Sequence, residues 1–181
     1  AEVDIGIPHE VLDEIPPSCF CADEEMVFSS IRRRPRTSHK GTFGRLLCIT
    51  GCANFPGAAA ISAKGALRMG AGIVTVATTE RVQSLIAPVI PEATFLPLPA
   101  NEDGGISASS AEILLPAIKH ASAVLIGCGL GRTEDTAALV KFVIKAAECP
   151  LVLDADALNS VCAEPEVLLS AKKVPIITPH M

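Results

Sequence analysis

Apolar residues fall along the chain in two textures. Short, almost unbroken aliphatic runs occupy 45–50, 72–78, 93–98, 123–126, 151–153 and 174–178, and stretches rich in helix formers occupy 57–69, 80–87, 109–120 and 133–147. Runs of that length without a polar alternate predict strands buried on both faces, and their regular exchange with helical stretches predicts an α/β fold: a mostly parallel sheet with helices on both sides. Pro88, Pro91, Pro97 and Pro99 bracket the third run, which predicts a short or edge strand. Ser109 or Ser110 is placed to cap the helix ending at His120, with Pro116 expected to kink it, and Thr133 followed by Glu134 and Asp135 opens the helix that ends near Ala147.

The first part of the chain reads differently. Residues 1–8 look like the end of a strand, His9 to Glu14 like a short helix, and 16–37 mix Pro, Ser, Cys and Arg without a period, as a connector does. This divides the chain into 1–8 as the end of a preceding domain, 9–36 as linker and 37–181 as the domain proper. That domain ends on a strand with no closing helix, so the expectation is a sheet incomplete at its C-terminus.

Composition narrows the classes of function. The chain has 181 residues, 49% of them hydrophobic and 19% charged, which is ample for one core and argues against disorder. A net charge of −5 speaks against a nucleic-acid partner, and the basic run Arg32-Arg33-Arg34 with Arg36 reads as a solvated surface. Seven cysteines without paired spacing read as reduced, mostly buried thiols, hence a cytoplasmic protein, and Cys48 with Cys52 lacks the second pair that a zinc site needs. No apolar run approaches the roughly 20 residues of a membrane span.

In an open parallel sheet, ligands sit beyond the carboxyl ends of the strands. The polar and glycine-rich segments of this chain fall there: 51–57, 127–131, 154–159 and 178–180. Gly57 opens a helix whose first N–H groups face that crevice, which suits an anionic or carbonyl-bearing ligand. Each segment also has a structural reading: Gly127, Gly129 and Gly131 as a turn needing positive φ, Asp154 and Asp156 as helix caps, His180 as a chain end. A Rossmann-type dinucleotide-binding oxidoreductase is the alternative enzyme, although GxGxG follows the fourth strand of the domain where GxGxxG would follow the first. No P-loop sequence occurs, and a non-enzymatic binding module would not need polar residues gathered at four strand ends.

The segments HKGTFGRLLCITG (39–51), FPGAAAISAKGALRMGAGIVTVAT (55–78), IGCGLG (126–131), PLVLDADALN (150–159) and ITPH (177–180) resemble, in order and spacing, the nucleotide-dependent NAD(P)H-hydrate dehydratases, and VDIGIP (3–8) resembles the end of the epimerase domain preceding them in bifunctional members. The resemblance implies a ribokinase-like fold and a lyase of metabolite repair that uses ADP or ATP with Mg²⁺ to dehydrate the 6S epimer of hydrated NADH or NADPH. It implies a homo-oligomer with no partner beyond substrate and nucleotide. By position, it makes Ala58, Gly129 and His180 substrate-binding, with Gly57, Gly127, Asp154 and Asn159 in support and no residue as a metal ligand. The family's catalytic aspartate, in a Gly-x-Gly-Asp motif, is expected beyond Met181, leaving these 181 residues inactive alone. Two departures stand out: Cys128 where the family usually has proline, and Cys52 where it usually has serine.

Overall fold

A computed structural model describes residues 5–14, 21–31 and 34–179. These belong to two units, 1–38 and 39–181. In the first, helix α1 (His9–Glu14) forms as the sequence predicts, while residues 5–8 make no strand. A second helix, α2 (Glu24–Ser30), lies inside the stretch read as a connector. Its cause is local: Asp23 accepts the Met26 N–H at 2.8 Å, and Glu24 and Glu25 place negative charge at the helix start.

The second unit is a six-stranded, wholly parallel sheet of β1 (Arg45–Ile49), β2 (Ile73–Thr79), β3 (Thr94–Leu98), β4 (Ala123–Ile126), β5 (Leu151–Asp154) and β6 (Ile176–Thr178), in the order β3-β2-β1-β4-β5-β6. Residue alternation along β1 divides the core. Leu47 and Ile49 face one side, with Val124, Ile126, Leu151 and Leu153, and are covered by α5 (Ala111–His120), α6 (Glu134–Ala146) and α7 (Asp156–Val161). Cys48 faces the other side, with Val74 and Val76, under α3 (Pro56–Arg68) and α4 (Glu80–Ile86). On α3, Ala59 and Ala63 point inward, and these small side chains bring the helix close to the sheet. The sheet is therefore doubly wound. β6, the last strand, is an exposed edge and is shorter than the 174–178 run that predicts it.

Capping at the start of α5 departs from expectation. Ser110 stands at the N-cap position of α5 but makes no side-chain cap; Ser107 instead accepts the Ser109 N–H and caps a 3₁₀ turn over Ala108–Ser110 that leads into the helix. Three nearby serines offer the same chemistry, and only the 3₁₀ turn selects among them. The helix then continues through Pro116. Among the described residues no helix is long and apolar enough to cross a membrane.

Candidate functional site

The strand order reverses direction between β1 and β4, and at such a switch point the loops leaving two neighbouring strands diverge to opposite faces and open a crevice. The turn 51–57 leaves β1 and the turn 127–131 leaves β4. They are joined at the base, where the Gly51 N–H donates to the Cys128 carbonyl at 2.9 Å. This strand order is also that of dinucleotide-binding Rossmann sheets, so topology alone does not separate the two enzyme readings; the turn after β1, GCANFPG, lacks GxGxxG.

Helix α3 starts at Pro56, one residue before Gly57, and its N-cap Phe55 makes no side-chain cap. Nothing lies within 4 Å of where a Gly57 side chain would begin, so the first turn of α3 is open at that point. Across from it, Gly129 has φ of 66°, and a Cβ there would lie 2.7 Å from the Ala58 Cβ. Ala58 and Gly129 are thus in contact across the two turns. Gly127 has φ of 130° and passes so close to β5 that a Cβ would sit 1.8 Å from the Asp154 carbonyl oxygen.

The segment Asp154-Ala155-Asp156 forms the third wall. Ala155 is the one described non-glycine residue with positive φ, at φ 42° and ψ −110°. Neither aspartate caps α7. Asp154 Oδ2 accepts the Cys128 thiol at 3.1 Å, and its Oδ1 accepts the Thr178 hydroxyl at 2.7 Å, tying the glycine turn to the end of β6. Asp156 Oδ2 accepts the Gly131 N–H at 2.9 Å. Arg132 Nε lies 3.5 Å from Asp156 Oδ1, and the Asn159 amide, oriented with its oxygen toward the guanidinium, accepts from Arg132 Nη2 at 2.7 Å.

Ala58, Gly57, Gly127, Gly129 and Asp154 therefore gather at one crevice, whereas Asn159 faces Arg132, and His180 lies outside the described residues. Nothing in the sequence marks Arg132, Thr50 or Thr78 as site residues; Thr178 falls in the 178–180 strand-end segment without a role of its own, and Asp156 reads as a helix cap. Thr50 and Thr78, fully buried beside the ends of β1 and β2, carry hydroxyls without a partner among the described residues. A missing partner for a buried hydroxyl is costly, which makes this pair a polar feature of the crevice floor. The loop 39–44 proves structural: it packs at the other end of the sheet, where the Gly72 and Ile73 N–H groups donate to Phe43 and Gly44 carbonyls. A concavity of about 280 Å³ also lies at that end, between Phe43, Leu46, Ala66, Met69 and Ser122, but it lacks converging polar groups.

The thiols under the crevice are held protonated. Burial pushes Cys48 from 9.0 up to about 12, with the nearby Cys128 adding to the rise. Cys128 rises to about 11, mainly through burial and further through the Asp154 carboxylate, while a hydrogen bond with Ser62 works the other way. Folded-state values above the unfolded value mean stability that is complete below about pH 9 and is lost as pH rises through 11 to 12. The melting temperature should accordingly fall more steeply above pH 9 in the natural chain than in a Cys48→Ala/Cys128→Ser variant. Parallel melting curves across that range would contradict it.

Residues 46–181 match the family described as NAD(P)H-hydrate dehydratase. A bifunctional NAD(P)H-hydrate repair enzyme of Salinibacter ruber is 35% identical over 184 residues, which cover 98% of this chain and 34% of that protein. An ADP-dependent (S)-NAD(P)H-hydrate dehydratase of Bacillus subtilis is 39% identical over 135 residues, covering 75% of this chain and 45% of that protein. The chain thus spans less than half the length of these curated relatives. Among solved structures, an ADP/ATP-dependent NAD(P)H-hydrate dehydratase from Bacillus subtilis co-crystallized with ATP and Mg²⁺ superimposes with a TM-score of 0.60 at 36% identity, over 75% of this chain and 46% of that one. A ribokinase-like superfamily protein from Enterococcus faecalis superimposes with a TM-score of 0.73 at 24% identity over 88% of this chain and 53% of that one, which shows the fold alone. The expected ribokinase-like α/β architecture is therefore present, and with residues 46–181 matched, the chain belongs to the NAD(P)H-hydrate dehydratase family.

Proposed function

We propose that this chain binds hydrated NADH or NADPH at the β1/β4 crevice and serves the ADP- or ATP-dependent dehydration that restores the reduced dinucleotide. The observation that carries this is the contact of the 127–131 glycine turn with Ala58 at the switch point, in a chain of this family. Small residues on both sides let ligand and backbone approach closely, and the α3 start offers N–H donors to an oxygen-bearing ligand.

Hydroxide is a poor leaving group, so the ring hydroxyl loses its proton and takes a phosphoryl group from the nucleotide. Phosphate then leaves with the electrons of the C–O bond as the ring nitrogen donates its lone pair, and loss of the adjacent C–H proton regenerates the dihydronicotinamide. The part played by these residues is to hold the substrate: Ala58 and Gly129 by close approach, His180 by hydrogen bonding, Gly57 by its N–H, and Gly127, Asp154 and Asn159 by fixing the surrounding turns. Mg²⁺ would neutralise the nucleotide phosphates during the transfer.

The alignment of the bifunctional Salinibacter protein with 98% of this chain supports reading 1–8 as the end of an epimerase domain, 9–36 as linker and 37–181 as part of the dehydratase domain. The free described cysteines suit a reducing cytoplasm, and a homo-oligomer completes the reading.

Calorimetric titration with the 6S epimer of hydrated NADH, the 6R epimer and NADH tests the central point. The 6S epimer should bind most tightly. Equal affinity for all three, or binding of NADH alone, would return the site to the oxidoreductase reading.

A further inference from the structure

The two carboxylates of the Asp-Ala-Asp turn reach opposite ends of the glycine turn. Asp154 takes the Cys128 thiol near its start, and Asp156 takes the Gly131 N–H at its end. Successive polar side chains on a regular strand or helix would not straddle a neighbouring loop in this way. The chain achieves it by placing Ala155 at φ 42°, ψ −110°, a region that L side chains avoid, between strand and helix. The start of the glycine turn has other anchors: Gly127 N–H donates to Ile49, and the Cys128 carbonyl accepts from Gly51. Its far end is tied to the β5–α7 segment by the Gly131–Asp156 bond, from a carboxylate whose side chain is only 16% exposed. Between the two anchors lies Gly129, against Ala58.

From this we infer that Asp156 is a positioning residue for the dinucleotide: by accepting the Gly131 N–H it fixes the glycine turn so that Gly129 meets the ligand in one orientation. The inference rests on the proposed function of the crevice. Asp156 touches no reacting atom and acts through the turn. Its other oxygen lies 3.5 Å from Arg132 Nε, and Asn159 also holds that guanidinium. An isosteric amide keeps an oxygen acceptor for Gly131, whereas alanine removes it, and this separates the hydrogen bond from the charge.

The experiment compares the natural chain with Asp156→Ala and Asp156→Asn by three readouts: affinity for the 6S epimer of hydrated NADH by calorimetry, melting temperature, and exchange of the Gly131 amide by NMR. Removing a charge-assisted bond of this kind should weaken binding on the order of tenfold. In Asp156→Ala, Gly131 should also lose its exchange protection while the melting temperature falls by only a few degrees. Asp156→Asn should regain most of both affinity and protection. Should the alanine variant fail to fold, Asp156→Ser, polar but too short to reach Gly131, takes its place. Natural affinity in a variant whose Gly131 amide is unprotected would overturn the positioning role and leave the binding site standing. An Asn variant that protects Gly131 yet binds as weakly as Ala would also overturn it. Absence of binding by the natural chain would instead remove the functional reading itself, and the inference with it.

Discussion

Gly127→Ala should abolish stable folding of the sheet unit. A methyl group there would sit 1.8 Å from the Asp154 carbonyl oxygen and 2.9 Å from the Ala157 Cβ, and the backbone is at φ 130°. The nearest obstacle is main chain, in β5, so no rotamer change relieves the overlap. Either β4 and β5 separate at their carboxyl ends, breaking the pairing of Ile126 with Leu153, or the turn unwinds. Either cost exceeds about 4 kcal/mol, a large part of the roughly 5–15 kcal/mol that holds a domain together. Gly65→Ala is the control. Gly65 lies inside α3 with nothing within 4 Å, so alanine there should stabilise by up to about 1 kcal/mol. Urea unfolding followed by circular dichroism distinguishes the two, and a Gly127→Ala midpoint within experimental error of the natural chain would show that the β4–β5 contact yields.

The contrast between these glycines shows what was legible in the sequence. Gly65 lies within a helix-forming stretch, and the sequence identifies Gly127 as a turn residue because it ends a strand-length run; which backbone it meets depends on β5 lying beside β4. Elements whose cause is local were readable: β1 and β4 from their unbroken aliphatic runs, α3 from its alanines, the start of α6 from Thr133, whose hydroxyl accepts the Thr136 N–H. α2 had a local signal too, in Asp23-Glu24-Glu25, but it is short and lies among prolines and arginines. The parts of the site that escaped depend on partners distant in sequence. Asp156 and Gly131 meet because two parallel strands are neighbours, and nothing in Asp-Ala-Asp marks Ala155 as strained, since alanine has no compositional signature for positive φ. Position at the strand ends was therefore readable, and the hydrogen-bond pattern among them was not.

Two adjacent alanines give the sharpest separation of site from core. Ala59 is fully buried, and its Cβ lies 2.9 Å from where a Gly51 side chain would begin, under the floor of the crevice. Ala58, one residue earlier, is only half-buried and lies against Gly129. Ala59→Leu would force α3 off the sheet and should cost about 1–3 kcal/mol of stability or more. Ala58→Leu puts the same added volume in the space where the ligand approaches the helix start. The sheet should survive, with a melting temperature within a few degrees of the natural value. Affinity for the 6S epimer of hydrated NADH should fall on the order of 10²-fold, because the added carbons push the ligand or the glycine turn out of register by about an ångström. If instead Ala58→Leu binds the hydrated dinucleotide as the natural chain does, the ligand does not lie against the Ala58 side of the crevice. Loss of stability with unchanged affinity would make the Ala58–Gly129 contact a packing feature, and the site would have to be sought farther along the strand ends, toward Asp154 and Thr178.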